Sequence, residues 1–107
     1  KDAPSGTAMM IAEALRKAKE TQCGTKIRFS YGRNGTNSLR NKNEIGIHSV
    51  RGGTIVGEHE VIFAGNNEVI TLSHSAQSKE LFAVGAVNAA VFMSGKGPGL
   101  YDMSALV

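Results

Sequence analysis

The sequence predicts an α+β domain in which a mixed sheet of about four strands carries an amphipathic helix on one face and a second helix follows near the C-terminus. Three observations predict this class. Apolar residues recur at helical spacing in two segments, alternate with polar residues in a third, and cluster in further runs separated by glycine- and asparagine-rich turns.

The two helices differ in character. From Gly6 to about Glu20 one face is apolar and the opposite face is charged, which is typical of a helix that covers a sheet. From Lys79 to Ser94 the segment is apolar over much of its circumference, so we expect it to pack on structure outside this chain. The tail after Gly95 predicts a glycine turn and a short helix capped by Asp102 or Ser104.

Four strands are predicted. Residues 26–31 alternate as in a strand with one buried face, and a polar loop of residues 32–43 follows, whose length favours a functional role. The other strands span residues 45–51, 54–64 and 68–75. Neither face of the longest strand is cleanly polar, so we expect one sheet face to serve in oligomerisation.

The turn before the first helix predicts an anion site. The first N–H groups of a helix lack partners within it, and the peptide dipoles add partial positive charge there. Gly6 lets an oxygen atom approach the amides of Gly6 and Thr7, and the hydroxyls of Ser5 and Thr7 add donors. A carboxylate or a phosphate is the expected ligand. The alternative is that Ser5 is only an N-cap after a proline turn.

Composition excludes several classes. The 107 residues are 41% hydrophobic and 20% charged, which argues against disorder and against a membrane protein. With no apolar run of membrane-spanning length and no signal-peptide pattern, we expect a soluble, cytoplasmic protein. The lone Cys23 provides neither an internal disulfide nor a structural zinc site.

Outside this turn, the sequence gives weaker evidence for catalytic, metal-binding or substrate-attracting residues. His48, His59 and His74 are expected on three separate strands without ligand spacing, so no metal site is predicted. No catalytic residue is assigned: nothing near the carboxylates Glu44, Glu58 and Glu60 activates them for acid–base work. Arg51 and Lys79 are possible sources of positive potential toward a dicarboxylate, but solvated side chains are the more usual case.

The basic charge of the chain suggests an alternative function, nucleic-acid binding. The net charge is +3, and Arg33, Arg40 and Lys42 lie close together in the polar loop, which would suit a nucleic acid. The loop lacks the interleaved aromatic residues that stack on bases, so we expect no nucleic-acid binding. Gly95, Gly97 and Gly99 follow a helix rather than a strand and include Pro98, so they form no dinucleotide fingerprint.

Four blocks carry a resemblance over the whole chain. They are DAPSGTA at residues 2–8, GRNG at 32–35, EIGIHSVRGGTIVGEHEVIF at 44–63 and HSAQSKELFAVGAVNAAVFMSGKGPGLYDM at 74–103. With these blocks in this order, the chain resembles the C-terminal part of dihydrodipicolinate reductase of the lysine pathway.

The resemblance implies an enzyme that reduces a cyclic dicarboxylate, 4-hydroxy-tetrahydrodipicolinate, with NADH or NADPH, and that works as a homotetramer. It implies that Gly6 and Thr7 bind a substrate carboxylate. It also implies a division into a substrate-binding and tetramerisation domain, residues 1–78, and a helix and tail, residues 79–107, that pack on a Rossmann domain. A hinge is expected near residues 78–81.

The resemblance also implies what this chain lacks. The family's His-His pair and proton-donating lysine precede the motif, and Lys1 occupies the variable position next to Asp2. The cofactor-binding domain is likewise expected upstream, so the chain alone is expected to be inactive and to bind no cofactor. Two alternatives remain open: a pure oligomerisation module, and a basic nucleic-acid-binding domain.

Overall fold

A computed structural model of the chain describes residues 2–106 and divides it into two compact units, Lys1–Gly53 and Thr54–Val107. The order of elements is α1 (Gly6–Cys23), β1 (Arg28–Tyr31), β2 (Glu44–Ile47), β3 (Gly57–Ala64), β4 (Val69–Ala76) and α2 (Glu80–Met93), followed by a 3₁₀ turn at Met103–Ala105. The α+β class is confirmed. The predicted division between residues 78 and 79 concerns packing on another domain and stays a prediction.

The first unit is built from α1 and a parallel pair of strands. β1 pairs with β2 in the register Phe29 opposite Ile45. Ala12 of α1 and Ile27, just before β1, are its buried apolar residues. The Ile27 N–H donates to a carboxylate oxygen of Glu20 at 2.9 Å, and the Arg16 guanidinium lies 5.8 Å from the centre of the Phe29 ring. The predicted amphipathic helix therefore packs on strands, as expected.

The loop between β1 and β2 has a topological reason for its length. A crossover between parallel strands needs about a dozen residues, and residues 32–43 supply this connection. Arg33 anchors the loop, because its guanidinium donates to the backbone carbonyl of Ser38 at 3.2 Å and forms an ion pair with Glu44. Part of the loop is thus tied to the start of β2.

The second unit contains an antiparallel hairpin and α2. β3 pairs with β4 along eight positions, from Gly57 opposite Ala76 to Ala64 opposite Val69. The turn is closed by the Gly65 N–H, which donates to the Glu68 carbonyl at 2.9 Å, and Asn67 adopts a positive φ of 59°. Ala76 is the buried apolar residue of this unit, among the residues described.

The strand pairing differs from the single mixed sheet predicted. Among residues 2–106, the four strands form two separate two-stranded sheets, one parallel and one antiparallel. β2 ends at Ile47 rather than at residue 51, and β3 begins at Gly57 rather than at residue 54. The segment between them contains Gly52 and Gly53, with Gly53 at a φ of 48°, and it forms turns instead of extended backbone.

The second helix and the tail agree with the sequence-based expectation in extent. α2 begins and ends within one residue of the predicted bounds, and no residue in it is buried. The 3₁₀ turn is capped by Asp102, whose carboxylate accepts from the Ser104 N–H at 3.0 Å; the Ser104 contacts lower the Asp102 pKa. None of the helices within residues 2–106 has the length and apolar character needed to cross a bilayer.

The Arg33–Glu44 ion pair leads to a prediction about the pKa of Glu44. The hydrogen bond from Arg33 is the main cause that lowers the Glu44 pKa from its ordinary value of 4.5. A lowered carboxylate pKa stabilises the fold above the ordinary value, and this contribution is lost as the pH falls through the folded-state pKa. We expect Arg33→Ala to raise the Glu44 pKa toward 4.5, measured by carboxyl-carbon NMR titration.

The matched control for this titration is Arg40→Ala, which removes an equal charge from the same loop. It should leave the Glu44 pKa unchanged. Equal effects of the two variants would mean that net loop charge, rather than the Arg33 hydrogen bond, sets the pKa.

Candidate functional site

The turn before α1 has the geometry of a capped helix start. Ser5 is extended, with φ −74° and ψ 159°, and its hydroxyl oxygen accepts from the Ala8 N–H at 3.2 Å. The first intrahelical bond runs from the Met9 N–H to the Ser5 carbonyl at 3.0 Å. Ser5 is therefore an N-cap, which was the alternative to a ligand-binding role. A role of Ser5 in ligand binding stays a prediction.

Two amides at this helix start remain open to a ligand. Gly6 and Thr7 are exposed, and within residues 2–106 their N–H groups donate to no backbone or side-chain acceptor. The space at Gly6 is clear, since a Cβ built there would meet nothing within 4 Å. An oxygen atom of an anion can reach both N–H groups at the positive end of an 18-residue helix.

Arg51 is brought to this turn by the fold. Its guanidinium donates to the backbone carbonyl of Asp2 and, at 2.8 Å, to the carbonyl of Val50. The cation is thus hydrogen-bonded to the segment that leads into the Ser5 cap. From the sequence, Arg51 is only a possible source of positive potential, because it lies 49 positions after Asp2 and no local pattern indicates their contact.

The histidines are arranged differently from the sequence-based expectation. His48 follows the end of β2, and its ring lies over Gly46, where a Cβ would be 3.4 Å from Nε2. His59 and His74, by contrast, are direct partners across the hairpin. Within the described part of the chain there is no group of three or more His, Cys, Asp or Glu side chains arranged to hold a metal ion. Cys23 is an exposed thiol.

Two of the three carboxylates considered for acid–base work have structural partners. Glu44 pairs with Arg33, and Glu58 accepts from the Ser75 hydroxyl at 2.9 Å. The basic loop is likewise partly committed, because Arg33 is held by this ion pair. Arg40 and Lys42 line an open depression of about 180 Å³. These contacts leave a smaller basic patch than the sequence suggested.

The glycines after α2 do not form a Rossmann-type dinucleotide site. Such a site needs a strand, a glycine turn and a helix in succession, so that the pyrophosphate lies at the helix N-terminus. Here Gly95 follows the end of α2 with a φ of 82°, and Gly97 and Gly99 belong to the irregular segment after it. Lys1, which the resemblance places at a variable position beside the motif, lies outside the described residues.

Comparison with known proteins relates this α+β chain to the C-terminal part of a family of reductases. The family model described as "Dihydrodipicolinate reductase, C-terminus" matches residues 1–107. The chain therefore belongs to the dihydrodipicolinate reductase C-terminal domain family.

Similar proteins carry the name 4-hydroxy-tetrahydrodipicolinate reductase. The protein of Caldanaerobacter subterraneus subsp. tengcongensis is 60% identical over 107 residues, which is 100% of this chain and 41% of that protein. That of Clostridium tetani is 48% identical over 106 residues, 99% of this chain and 40% of the relative. That of Caulobacter vibrioides is 52% identical over 102 residues, 95% and 39% respectively. The chain thus spans about two fifths of the length of these relatives.

The contact between Arg51 and Asp2 predicts a change in local stability. Arg51→Ala removes a charge-assisted hydrogen bond, a kind of contact that contributes about 1.5–3 kcal/mol when well formed and less when exposed. We expect faster amide exchange at Ala8 and Met9, whose N–H groups donate to Ser5, with little change in the middle of α1, measured by hydrogen–deuterium exchange with NMR detection. Arg40→Ala is the charge-matched control and should leave these amides unaffected; equal protection in both variants would contradict a role for Arg51 in holding the turn.

Proposed function

We propose that this chain is the substrate-binding and oligomerisation part of an NAD(P)H-dependent 4-hydroxy-tetrahydrodipicolinate reductase of lysine and diaminopimelate biosynthesis. The observation that carries the proposal is the exposed pair of N–H groups at Gly6 and Thr7, in a chain that belongs to this reductase family. The substrate of that reaction is a ring with two carboxylates, and an open helix N-terminus suits a carboxylate.

The role of each residue follows from its position. The N–H groups of Gly6 and Thr7 donate to one substrate carboxylate, and the Thr7 hydroxyl adds a third donor. Ser5 keeps the helix start ordered through its bond to the Ala8 N–H. Arg51 holds the approach segment through its hydrogen bond to the Asp2 carbonyl and adds positive charge to that segment. These contacts orient the ring.

The reaction itself needs groups outside residues 2–106. The nicotinamide cofactor, NADH or NADPH, supplies the hydride when bound, and we assign it to a separate Rossmann domain because Gly95, Gly97 and Gly99 form no dinucleotide fingerprint. The proton is assigned to the lysine upstream of the motif. This chain alone is therefore proposed to bind the dicarboxylate without reducing it.

Assembly is the second part of the proposal. One face of the hairpin presents Val61, Phe63, Ile70 and Leu72, and the last three are 44%, 57% and 61% exposed. On α2, Leu81, Val84, Val87 and Val91 are each more than half exposed. Soluble proteins rarely leave so much contiguous apolar surface open, and such surface marks an interface. We propose that the hairpin face joins copies into a homotetramer and that α2 packs on the Rossmann domain.

Two alternatives are tested by the same samples. A pure oligomerisation module would assemble without binding a dicarboxylate, and the exposed apolar face is the observation that favours it. A nucleic-acid-binding domain would bind polynucleotides with strong salt dependence. The Arg33–Glu44 pair weighs against the latter, because it occupies one of the three cations of the basic loop.

The anion site predicts an affinity change. Pyridine-2,6-dicarboxylate, a planar ring with two carboxylates, should bind the chain saturably in calorimetry. Thr7→Val removes the hydroxyl and disturbs the site, so we expect roughly tenfold weaker binding, as for the loss of a hydrogen bond to a charged group. Thr21→Val, which removes a hydroxyl from the other end of α1, is the control. Undiminished affinity in Thr7→Val would contradict the site.

The hairpin face predicts a mass change. Light scattering of the chain should give the mass of a tetramer, and Leu72→Glu should reduce it because a charge at the interface opposes burial. Val50→Glu introduces the same charge at a residue that is 81% exposed in the other unit and should leave the mass unchanged. A monomeric wild-type chain would refute assembly through this face.

A further inference from the structure

We propose that Asn34 is a site of spontaneous deamidation, in which the backbone nitrogen of Gly35 attacks the Asn34 side chain and the residue becomes aspartate or isoaspartate. Asparagine is among the thermally labile residues of proteins. Among the asparagines of the sequence, Asn34 alone precedes a glycine. The pair lies in the polar loop that connects β1 with β2.

The loop leaves the two reacting groups accessible. Asn34 and Gly35 are both exposed. Within residues 2–106, neither the Asn34 side-chain amide nor the Gly35 N–H makes a hydrogen bond. Gly35 has a positive φ of 86°, and a Cβ built on it would meet nothing within 4 Å. Glycine changes its backbone conformation at low cost, so the Gly35 nitrogen can reach the Asn34 Cγ.

The reaction needs only water as a co-reactant. The Gly35 N–H loses its proton to solvent, and the nitrogen bonds to the Asn34 Cγ. The bond from Cγ to Nδ2 breaks, and Nδ2 leaves as ammonia with a proton from solvent, so that a five-membered succinimide ring remains. Water then opens the ring at either carbonyl. Attack at Cγ gives aspartate, whereas attack at the backbone carbonyl gives isoaspartate, in which the main chain runs through Cγ.

The new carboxylate lies next to Arg33, which holds the loop to β2. The Arg33 guanidinium donates to the Ser38 carbonyl at 3.2 Å and pairs with Glu44. A carboxylate at position 34 competes with Glu44 for this cation. Isoaspartate also adds a methylene group to the main chain between Arg33 and Ser38, so the modification loosens the loop. The inference uses neither the α1 turn nor the hairpin face and is therefore independent of the proposed function.

Two other asparagines of the loop lack this combination of features. Asn37 is exposed but precedes Ser38, whose side chain hinders closure of the ring. The Asn41 side-chain oxygen accepts from the Asn43 N–H at 2.9 Å, which holds that side chain in place. Asn37 is therefore a suitable internal reference, because it lies in the same loop and meets the same solvent.

The test is peptide mapping by mass spectrometry after incubation of the chain in mildly alkaline buffer. Digestion at low pH limits further reaction, and electron-transfer fragmentation distinguishes isoaspartate from aspartate. We expect Asn34 to deamidate at least about tenfold faster than Asn37, because Gly35 has no side chain to hinder the ring. The rate should rise with pH, since the attacking nitrogen must lose its proton. Asn34→Gln should abolish the reaction at position 34, because glutamine needs a larger ring, and the matched control Asn37→Gln should leave it unchanged.

Incubation in urea tests whether the folded chain exposes the site. We expect similar Asn34 rates in the native and the unfolded chain. A native rate far below the rate in urea would mean that other structure covers the loop, and it would overturn the proposal, as would equal rates at Asn34 and Asn37. Both measurements use the parent chain, so they do not depend on the folding of a variant.

Loosening of the loop is measured by hydrogen–deuterium exchange on Asn34→Asp, which reproduces one of the two products. The Ser38 N–H donates to the Gly35 carbonyl at 3.3 Å. We expect its exchange to become about two- to tenfold faster, the range that one hydrogen bond contributes. Unchanged exchange at Ser38 in both Asn34→Asp and the deamidated parent would overturn the effect on the loop.

Discussion

The structure depends first on the burial of apolar side chains, because ordering a chain costs about 1–2 kcal/mol per residue of backbone entropy. Within residues 2–106 the buried apolar residues are Ala12, Ile27 and Ala76, which are small or medium in size. At about 25 cal/mol per Å² of apolar surface, the burial of three such residues offsets only a small part of this entropy cost. In the proposed assembly, covering the large exposed side chains of the hairpin and α2 adds stabilisation that the chain alone lacks.

Sequence patterns identified the elements that depend on local signals. α1, the hairpin strands and α2 were predicted because periodicity, a cap and turn residues lie within each segment. The pairing of β1 with β2 was not predicted. These strands are connected by a twelve-residue crossover, and no local sequence pattern indicates that they are partners. The loop read as a functional feature is, in the structure, also the length of chain that a parallel connection requires.

The residues of the candidate site also divide into those that local sequence identifies and those that only the fold brings together. Ser5, Gly6 and Thr7 are adjacent in sequence, so composition and helix geometry were enough to select them as candidates. The contact of Arg51 with Asp2 and the register of His59 with His74 arise from tertiary pairing. From the sequence, Arg51, His59 and His74 are expected to have solvated or structural roles, because chain order does not show which residues are their neighbours in space.

The exposed edges of the hairpin strands also affect the risk of aggregation while the chain folds. Among the described residues β3 and β4 have only each other as partners, so the outer edge of each eight-residue strand presents unpaired N–H and C=O groups beside apolar side chains. Such edges can pair with a strand of another chain, whether or not that pairing occurs in the native protein. Aggregation through these edges rises with protein concentration, so during synthesis it competes both with folding and with the proposed association of copies.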